Sequence, residues 1–274
     1  MSEPRRIESA ANPLLVRLRR LARDPAAYRR LGEIALAGDH LCSAWLEAGR
    51  GAPLAVVGAD AWEAPALRAL ALQASRVAIV APGLMASASG LESPPGIVFV
   101  VPWAGAGVLQ PRTASLVLDR VQDAGNVGTL LRSAAAFGFA QVLALEGMAA
   151  LWSSWVLRAG MGAYFRLNLV EGLDAAALEA LAVPLLATSS HAEQAIDAAA
   201  LPWPCAFAFG NEGQGLDAAV QARCAAVLRI AQPGGGESLN VAAAGAVCLY
   251  ESARQRAVSE RLSRSTALRA TRDA

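Results

Sequence analysis

Short apolar runs and amphipathic stretches take turns along most of this chain, the pattern of strands alternating with helices. Runs at 34–37, 54–57, 77–80 and 97–101 predict strands, and the segments 40–49 and 64–72 predict helices between them. Ahead of these, Asn12 stands before Pro13, and leucines recur at positions 14, 18 and 21. A capping side chain, a proline at the first helical position and that spacing predict an amphipathic helix with Arg17, Arg20 and Arg23 on its other faces. Residues 102–113 (PWAGAGVLQPRT) concentrate Pro and Gly without a period. They predict a division into a domain at 1–105, a linker at 106–113 and a second domain at 114–274 with a basic tail.

Past the linker the pattern restarts. It predicts strand 116–118, helix 127–137 stopped by Gly138, strand 142–145, helix 150–159, strand 165–170 and helix 174–182. Strands 185–188 and 206–209, helix 216–223, strand 227–230 and a last helix from about 238 complete it. Strands separated by helices predict an α/β domain with a mainly parallel sheet. Ligands of such sheets bind at the carboxyl ends of strands, which directs attention to the loops after residues 118, 209 and 230.

With 274 residues, 55% hydrophobic and 17% charged, the chain can bury two cores. The longest apolar run, 241–250, falls short of the roughly 20 residues of a membrane span, and the N-terminal MSEPRRIESAANP lacks the apolar centre of a secretory signal. The expected compartment is the cytoplasm. Cys42, Cys205, Cys224 and Cys248 show no CxxC spacing, and His40 and His191 belong to no ligand set, so no metal site is expected and the histidines are read as surface residues. The net charge of +1 hides an uneven distribution: residues 1–30 hold eight Arg against three acids, 251–274 six against three, and 31–250 ten against seventeen. Basic ends suit a polyanion such as RNA, and residues 1–105 are expected to supply RNA affinity rather than chemistry.

The first loop, Asp119-Arg120-Val121-Gln122-Asp123-Ala124-Gly125-Asn126-Val127-Gly128, runs into a helix carrying Arg132. Arg132 lies four residues past Gly128, on the same helical face as a position without a side chain, which can be read as space for a substrate; taken alone, the pattern is better read as an Asn-capped helix with a solvent-facing arginine. The second, Phe209-Gly210-Asn211-Glu212-Gly213-Gln214-Gly215-Leu216, has three glycines where a tight turn needs fewer, which points to positive φ or close backbone approach at positions such as Gly213. The third runs from Ile230 through Gln232, three glycines (Gly234, Gly235, Gly236), Glu237, Ser238, Leu239 and Asn240 into an apolar helix. Three such loops at the strand ends of one sheet favour a nucleotide-like ligand. No GK[ST] or GxGxxG accompanies them, against ATP hydrolysis and dinucleotide redox chemistry.

Taken together and in this order, Asn126-x-Gly128-x-x-x-Arg132, Phe209-Gly210-Asn211-Glu212-Gly213-x-Gly215-Leu216 and Glu237-Ser238-Leu239-Asn240-Val241 resemble the three motifs of the SpoU/TrmH methyltransferases. Arg158-Ala159-Gly160-Met161-Gly162-Ala163 resembles a further family segment, and the stretch from Asn12 through Gly38-Asp39-His40-Leu41 is similar to the small ribosomal-protein-like substrate-binding domain many members carry. One departure is visible: Ala231 stands where the family usually has proline after the isoleucine of the third motif, with Pro233 two residues later.

The resemblance implies an S-adenosylmethionine-dependent RNA 2′-O-ribose methyltransferase, a trefoil-knotted carboxyl-terminal domain and a homodimer. It implies an active-site set of Asn126, Arg132, Glu212, Ser238 and Asn240. For the cofactor it implies Phe209, Gly210, Asn211, Gly213, Gly215, Leu216, Ile230, Gln232, Gly235, Ser238 and Leu239. Arg132 corresponds to the arginine proposed to deprotonate the ribose hydroxyl; a guanidinium stays protonated to about pH 12, so clamping the neighbouring phosphate is an equal role. Glu212 is expected to orient it by a paired hydrogen bond. Ribosomal RNA is favoured over transfer RNA through the N-terminal resemblance. A noncatalytic RNA-binding or ribosome-associated protein of the same fold, a base methylator and a small-molecule enzyme stay open as alternatives.

Overall fold

A computed structural model describes residues 3–89, 93–235 and 238–270; Gly236, Glu237 and the last four residues of the basic tail lie outside the described residues. In chain order the elements begin with β1 (Arg5–Ile7), α1 (Pro13–Arg23), α2 (Ala27–Leu31), β2 (Glu33–Ala37), α3 (Asp39–Glu47), β3 (Leu54–Gly58), α4 (Ala59–Trp62), α5 (Pro65–Ala71), β4 (Val77–Val80), α6 (Leu84–Ser89) and β5 (Ile97–Pro102). They continue with β6 (Ser115–Leu118), α7 (Ala124–Phe137), β7 (Gln141–Leu145), α8 (Ser154–Gly160), β8 (Asn168–Leu173), β9 (Leu185–Thr188), β10 (Ala206–Phe209), α9 (Ala218–Gln221), β11 (Ala226–Leu228) and α10 (Val241–Ala270). Two compact units result: Met1–Ala106 with Ala149–Arg166, and Gly107–Met148 with Leu167–Ala274.

In the first unit a five-stranded sheet has the order β1-β4-β3-β5-β2, with β5 antiparallel to both neighbours. The short polar strand β1, which periodicity does not reveal, pairs parallel with β4 through Arg5↔Ala78 and Ile7↔Val80. Asn12 caps α1 by accepting from the Leu14 amide at 3.0 Å, and Leu15, Leu18 and Leu21 form its buried face while Leu14 is only partly covered. Ser153 caps α8, and the next residues turn into a 3-10 helix, Met161–Arg166, instead of the expected strand. Phe165 there packs edge-on against Trp45 at 5.3 Å, and strand β8 begins only at Asn168.

The second unit is a six-stranded, wholly parallel sheet of order β11-β9-β10-β6-β7-β8. Strands β6, β7 and β10 are buried along their whole length, so after the buried polar residues Ser115 and Gln141 that open β6 and β7 their sequences are apolar runs rather than alternations. Strand order leads outward from β6 through β7 to β8 and then resumes on the other side with β10 next to β6. The loops after β6 and β10 therefore open side by side at a reversal of strand order, where open sheets place ligands. Residues expected as linker are fixed to this unit: Gln141 receives the Gln110 amide at 2.7 Å and the Asn168 side chain at 2.9 Å. The expected helix at 216–223 is only α9, because Gly215 has φ +69° and Asp217 then caps at the Ala219 amide; the expected helix at 174–182 is a 3-10 turn, Ala176–Ala180. Helix α10 lies against α7 so closely that a Cβ at Gly245 would meet Leu130 Cδ2 at 2.2 Å.

Candidate active site

The first loop is shaped by an ion pair that motif reading passes over. Asp119, 3% exposed, receives Arg120 Nε at 2.9 Å and Nη2 at 3.1 Å, and its Oδ2 accepts the Asp217 amide at 2.6 Å. Arg120 holds φ +56°, a conformation costly for a residue with a side chain. Its guanidinium bonds Gln214 Oε1 at 3.1 Å and the Gly215 carbonyl at 3.3 Å, while its own carbonyl accepts from Asn211 Nδ2 at 3.1 Å. The pair thus fastens the second loop to the first.

That second loop closes on itself. Asn211 and Gly215 exchange backbone hydrogen bonds of 3.0 and 2.9 Å, and Asn211 Oδ1 accepts the amides of Gly213 and Gln214, each at 3.0 Å. The close approach expected of this loop occurs at Gly210, where a Cβ would stand 2.2 Å from the Gly215 carbonyl carbon, and the positive φ occurs at Gly215. Gly213 has neither feature: its φ is ordinary and the nearest atom to a Cβ would be Asn211 Oδ1 at 3.7 Å. In the third loop Gly235 has φ +66°.

One hydrogen-bond chain links all three loops. Asn240 Nδ2 donates to Asn126 Oδ1 at 2.9 Å, and Asn126 Nδ2 donates to Glu212 Oε1 at 3.0 Å. The amides of Gln122 and Asp123 approach the Glu212 oxygens at 3.5 and 3.4 Å. Asn240 Oδ1 caps α10 by accepting from Ala242 and Ala243, which fixes its amide so that Nδ2 faces Asn126. Asn126 itself is not the cap of α7; Asp123 is, accepting the Asn126 amide at 2.7 Å. Partial burial pushes the Glu212 carboxyl up, but hydrogen bonds from Asn126, its own loop and the Gln122 and Asp123 amides outweigh it and hold it below the usual carboxylate range. With the folded value depressed, the stability these contacts contribute is present above the unfolded value and lost as pH falls through the folded one.

Glu212 does not reach Arg132. Its partners are Asn126 and the first-loop amides, and Arg132 is exposed with no hydrogen bond or ion pair among the described residues. The expected pairing is corrected accordingly: the short carboxylate is already engaged across the loops. Gly128, read as open space, is buried inside α7. Ser238 is likewise exposed, with no hydrogen bond among the described residues.

A cavity of about 520 Å³ lies at the ends of β9 and β10, within the roughly 300–1,000 Å³ of small-molecule sites. Phe209, Gly210, Asn211, Gly213, Gly215, Leu216, Ile230, Gln232, Ser238 and Leu239 line it, as do Glu212 and Asn240; Gly235, Asn126 and Arg132 do not. Thr188, Ser189, Ser190 and His191, from a loop without glycines and so without a sequence signal, complete one wall. A glycine cradle, an apolar floor of Phe209 and Leu216 and a rim of hydroxyls and amides fit S-adenosylmethionine, whose adenine, ribose and amino-acid parts need such surfaces. Burial pushes the Cys42, Cys205, Cys224 and Cys248 thiols up to about 12, 11, 11 and 12, so a thiolate nucleophile is not available near neutrality. Among the described residues no group of three His, Cys, Asp or Glu could hold a metal ion, and no helix is long and apolar enough to cross a membrane.

This chain resembles known proteins in sequence and in fold. The profile of the SpoU rRNA Methylase family matches residues 113–250. A Synechocystis protein called an uncharacterized tRNA/rRNA methyltransferase is 32% identical over 262 residues, 91% of this chain and 93% of its own. The 23S rRNA (guanosine-2′-O-)-methyltransferase RlmB of Coxiella burnetii is 37% identical over 147 residues, 52% of this chain and 58% of its own. Of solved structures, an RNA 2′-O ribose methyltransferase superposes with TM-score 0.76 at 29% identity, covering 92% of this chain and 99% of that one. An AdoMet-bound rRNA methyltransferase from Sinorhizobium meliloti, at 21% identity and TM-score 0.79, covers 92% of this chain and 98% of its own and shares the fold. The parallel sheet, the three linked loops and a match that runs from 113 through the start of α10 lead to one conclusion: the chain belongs to the SpoU rRNA methylase family.

Proposed function

We propose that this protein transfers a methyl group from S-adenosylmethionine to a ribose 2′-hydroxyl of structured RNA. The observation that carries the reading is the Asn240–Asn126–Glu212 chain, which joins the three motif loops beside a glycine-lined cavity. The loops 209–216 and 230–239 hold the cofactor, largely by backbone groups. When bound, the sulfonium supplies an electrophilic methyl group, open to in-line attack by an oxygen nucleophile. The chain's own residues then have to position that oxygen and manage its proton. Arg132, exposed and without a hydrogen bond or ion pair among the described residues, is suited to grip the phosphate next to the target ribose through its planar fork, and Ser238 to accept a hydrogen bond from the target hydroxyl, whose proton leaves to solvent. Glu212, ionised and held by Asn126, acts by fixing loop geometry and adds negative potential where a proton leaves.

Ribosomal RNA is the favoured substrate, supported by relatives named 23S rRNA (guanosine-2′-O-)-methyltransferase. A homodimer is supported by Val247, Tyr250 and Val258, exposed apolar residues on one face of α10. A cytoplasmic location and residues 1–105, with their basic start at 1–30, as the source of RNA affinity belong to the same reading. Incubation with methyl-labelled S-adenosylmethionine and total RNA from cells lacking the gene tests it. Label entering ribosomal RNA supports the reading; cofactor binding without transfer would leave an RNA-binding protein of the same fold.

A further inference from the structure

Within the first unit, a second and smaller cavity of about 180 Å³ is enclosed by α1, α6, α8 and the strands β2 and β5. Its floor is apolar, made by Leu18, Met85 and Val98. At its mouth stands Trp155, 48% exposed, a large aromatic ring left in water on a helix whose opposite side, at Val156 and Leu157, is buried. Two arginines flank it: Arg158, one turn along α8 and so on the same face, and Arg23 at the end of α1. Both are exposed, and among the described residues neither makes a hydrogen bond or ion pair. Ser154 Oγ donates to the Ala22 carbonyl at 2.9 Å, so the starts of this aromatic face and the end of α1 are fixed together. The third wall is β2, the strand at one end of the sheet, which contributes Ala35 and Ala37.

We infer that this cavity is a binding site for one unstacked nucleobase of the substrate RNA, with Trp155 as the stacking surface and Arg23 and Arg158 on the flanking phosphates. The inference rests on the RNA methyltransferase reading for the identity of the polyanion and deepens it. Volume decides the size of the occupant: the cavity is smaller than the roughly 300 Å³ at which sites for whole small molecules begin, and admits a single heterocycle rather than a nucleotide cofactor. Chemistry decides its kind. Proteins that read RNA by sequence take bases out of the stack, lay them on aromatic or guanidinium planes and hydrogen-bond their edges. An apolar slot with an indole on one side, and at its rim two arginines that make no hydrogen bond or ion pair among the described residues, offers the stacking and phosphate contacts. The charge complementarity with phosphate sets RNA apart from a second copy of this chain, for which two unpaired arginines would be a poor seal.

The test uses the full-length protein and unmodified ribosomal RNA transcribed in vitro, with affinity read by filter binding. Trp155→Ala is expected to weaken RNA binding about tenfold or more, the scale of losing one base–aromatic stack, and Trp155→Phe to recover most of it. Ala37→Leu, which fills the cavity while keeping the indole, is expected to weaken binding similarly. Because no charge is removed, the slope of log affinity against log salt should be the same in all three variants as in the unmutated protein. S-adenosylmethionine affinity should not change. Unmutated RNA affinity in Trp155→Ala or in Ala37→Leu overturns the proposal, as does a change of oligomeric state in Trp155→Ala by ultracentrifugation, which would make the face a contact between copies. Methyl transfer by the unmutated protein is measured in parallel: its absence alongside weakened RNA binding in the variants would support the base site while rejecting the enzymatic reading.

Discussion

At the scale of single residues, the proposed site turns on the close backbone approach at Gly210, and the proposed reaction on Arg132, which makes no hydrogen bond or ion pair among the described residues. Gly210→Ala places a methyl group into the Gly215 carbonyl carbon, 2.2 Å away, so the self-closed loop must open at a cost of about 1–3 kcal/mol. Calorimetry should find S-adenosylmethionine affinity reduced roughly five- to hundredfold, whereas Gly213→Ala, whose Cβ would make only an ordinary contact with Asn211 Oδ1 at 3.7 Å, should bind nearly as well. Equal affinity for Gly210→Ala and the unmutated protein would remove the loop from the cofactor site. For Arg132, single-turnover methylation at saturating cofactor and RNA is the informative assay. Arg132→Ala should lose roughly a hundredfold or more through misplacement of the ribose, and Arg132→Lys should remain poor because ammonium keeps the charge without the planar fork. Cofactor affinity should survive in both; full activity in the lysine variant would reduce Arg132 to a generic positive charge.

At the scale of elements, Asn240 does two jobs that different substitutions separate. Its Oδ1 caps α10 and its Nδ2 holds Asn126. Asn240→Asp keeps an acceptor for the cap but sets a carboxylate against the Asn126 carbonyl oxygen, so thermal stability should stay near normal while turnover falls. Asn240→Ala should lose turnover and about 1 kcal/mol of stability with the cap. Equal turnover in both variants and the unmutated protein would show that the chain between loops is incidental to activity. This division of labour also marks where sequence reading stops. Buried parallel strands such as 206–209 are legible because they are apolar throughout, and the three loops are legible because glycine is conspicuous. Which residue of Asp123-Ala124-Gly125-Asn126 caps α7 is settled by a one-turn difference in chain path that composition does not carry. The Asp119–Arg120 clamp and the wall from Thr188 to His191 have no motif either, since their partners lie across the sheet from them in sequence. The expected strand at 165–170 starts late because Phe165 is an apolar residue recruited by Trp45, a contact that periodicity cannot distinguish from a strand's own burial.

At the scale of the whole molecule, the account assigns affinity and chemistry to different parts of the chain. Arg6 and Arg20 are exposed in the first unit, far in sequence from the motif loops. Replacing both with Gln should lower RNA affinity and reduce the magnitude of its salt slope by about one to two, while S-adenosylmethionine binding is untouched; an unchanged slope would mean that other charges meet the RNA. The central claim, that the three linked loops direct a methyl group to a ribose oxygen, has a direct chemical readout. The 2′-hydroxyl is the nucleophile that cleaves RNA in alkali, so a methyl group on it protects the adjacent phosphodiester. RNA labelled by this protein from methyl-labelled S-adenosylmethionine should, after complete alkaline hydrolysis, release its label in alkali-resistant dinucleotides. Label released in mononucleotides would place the methyl group on a base and contradict the account.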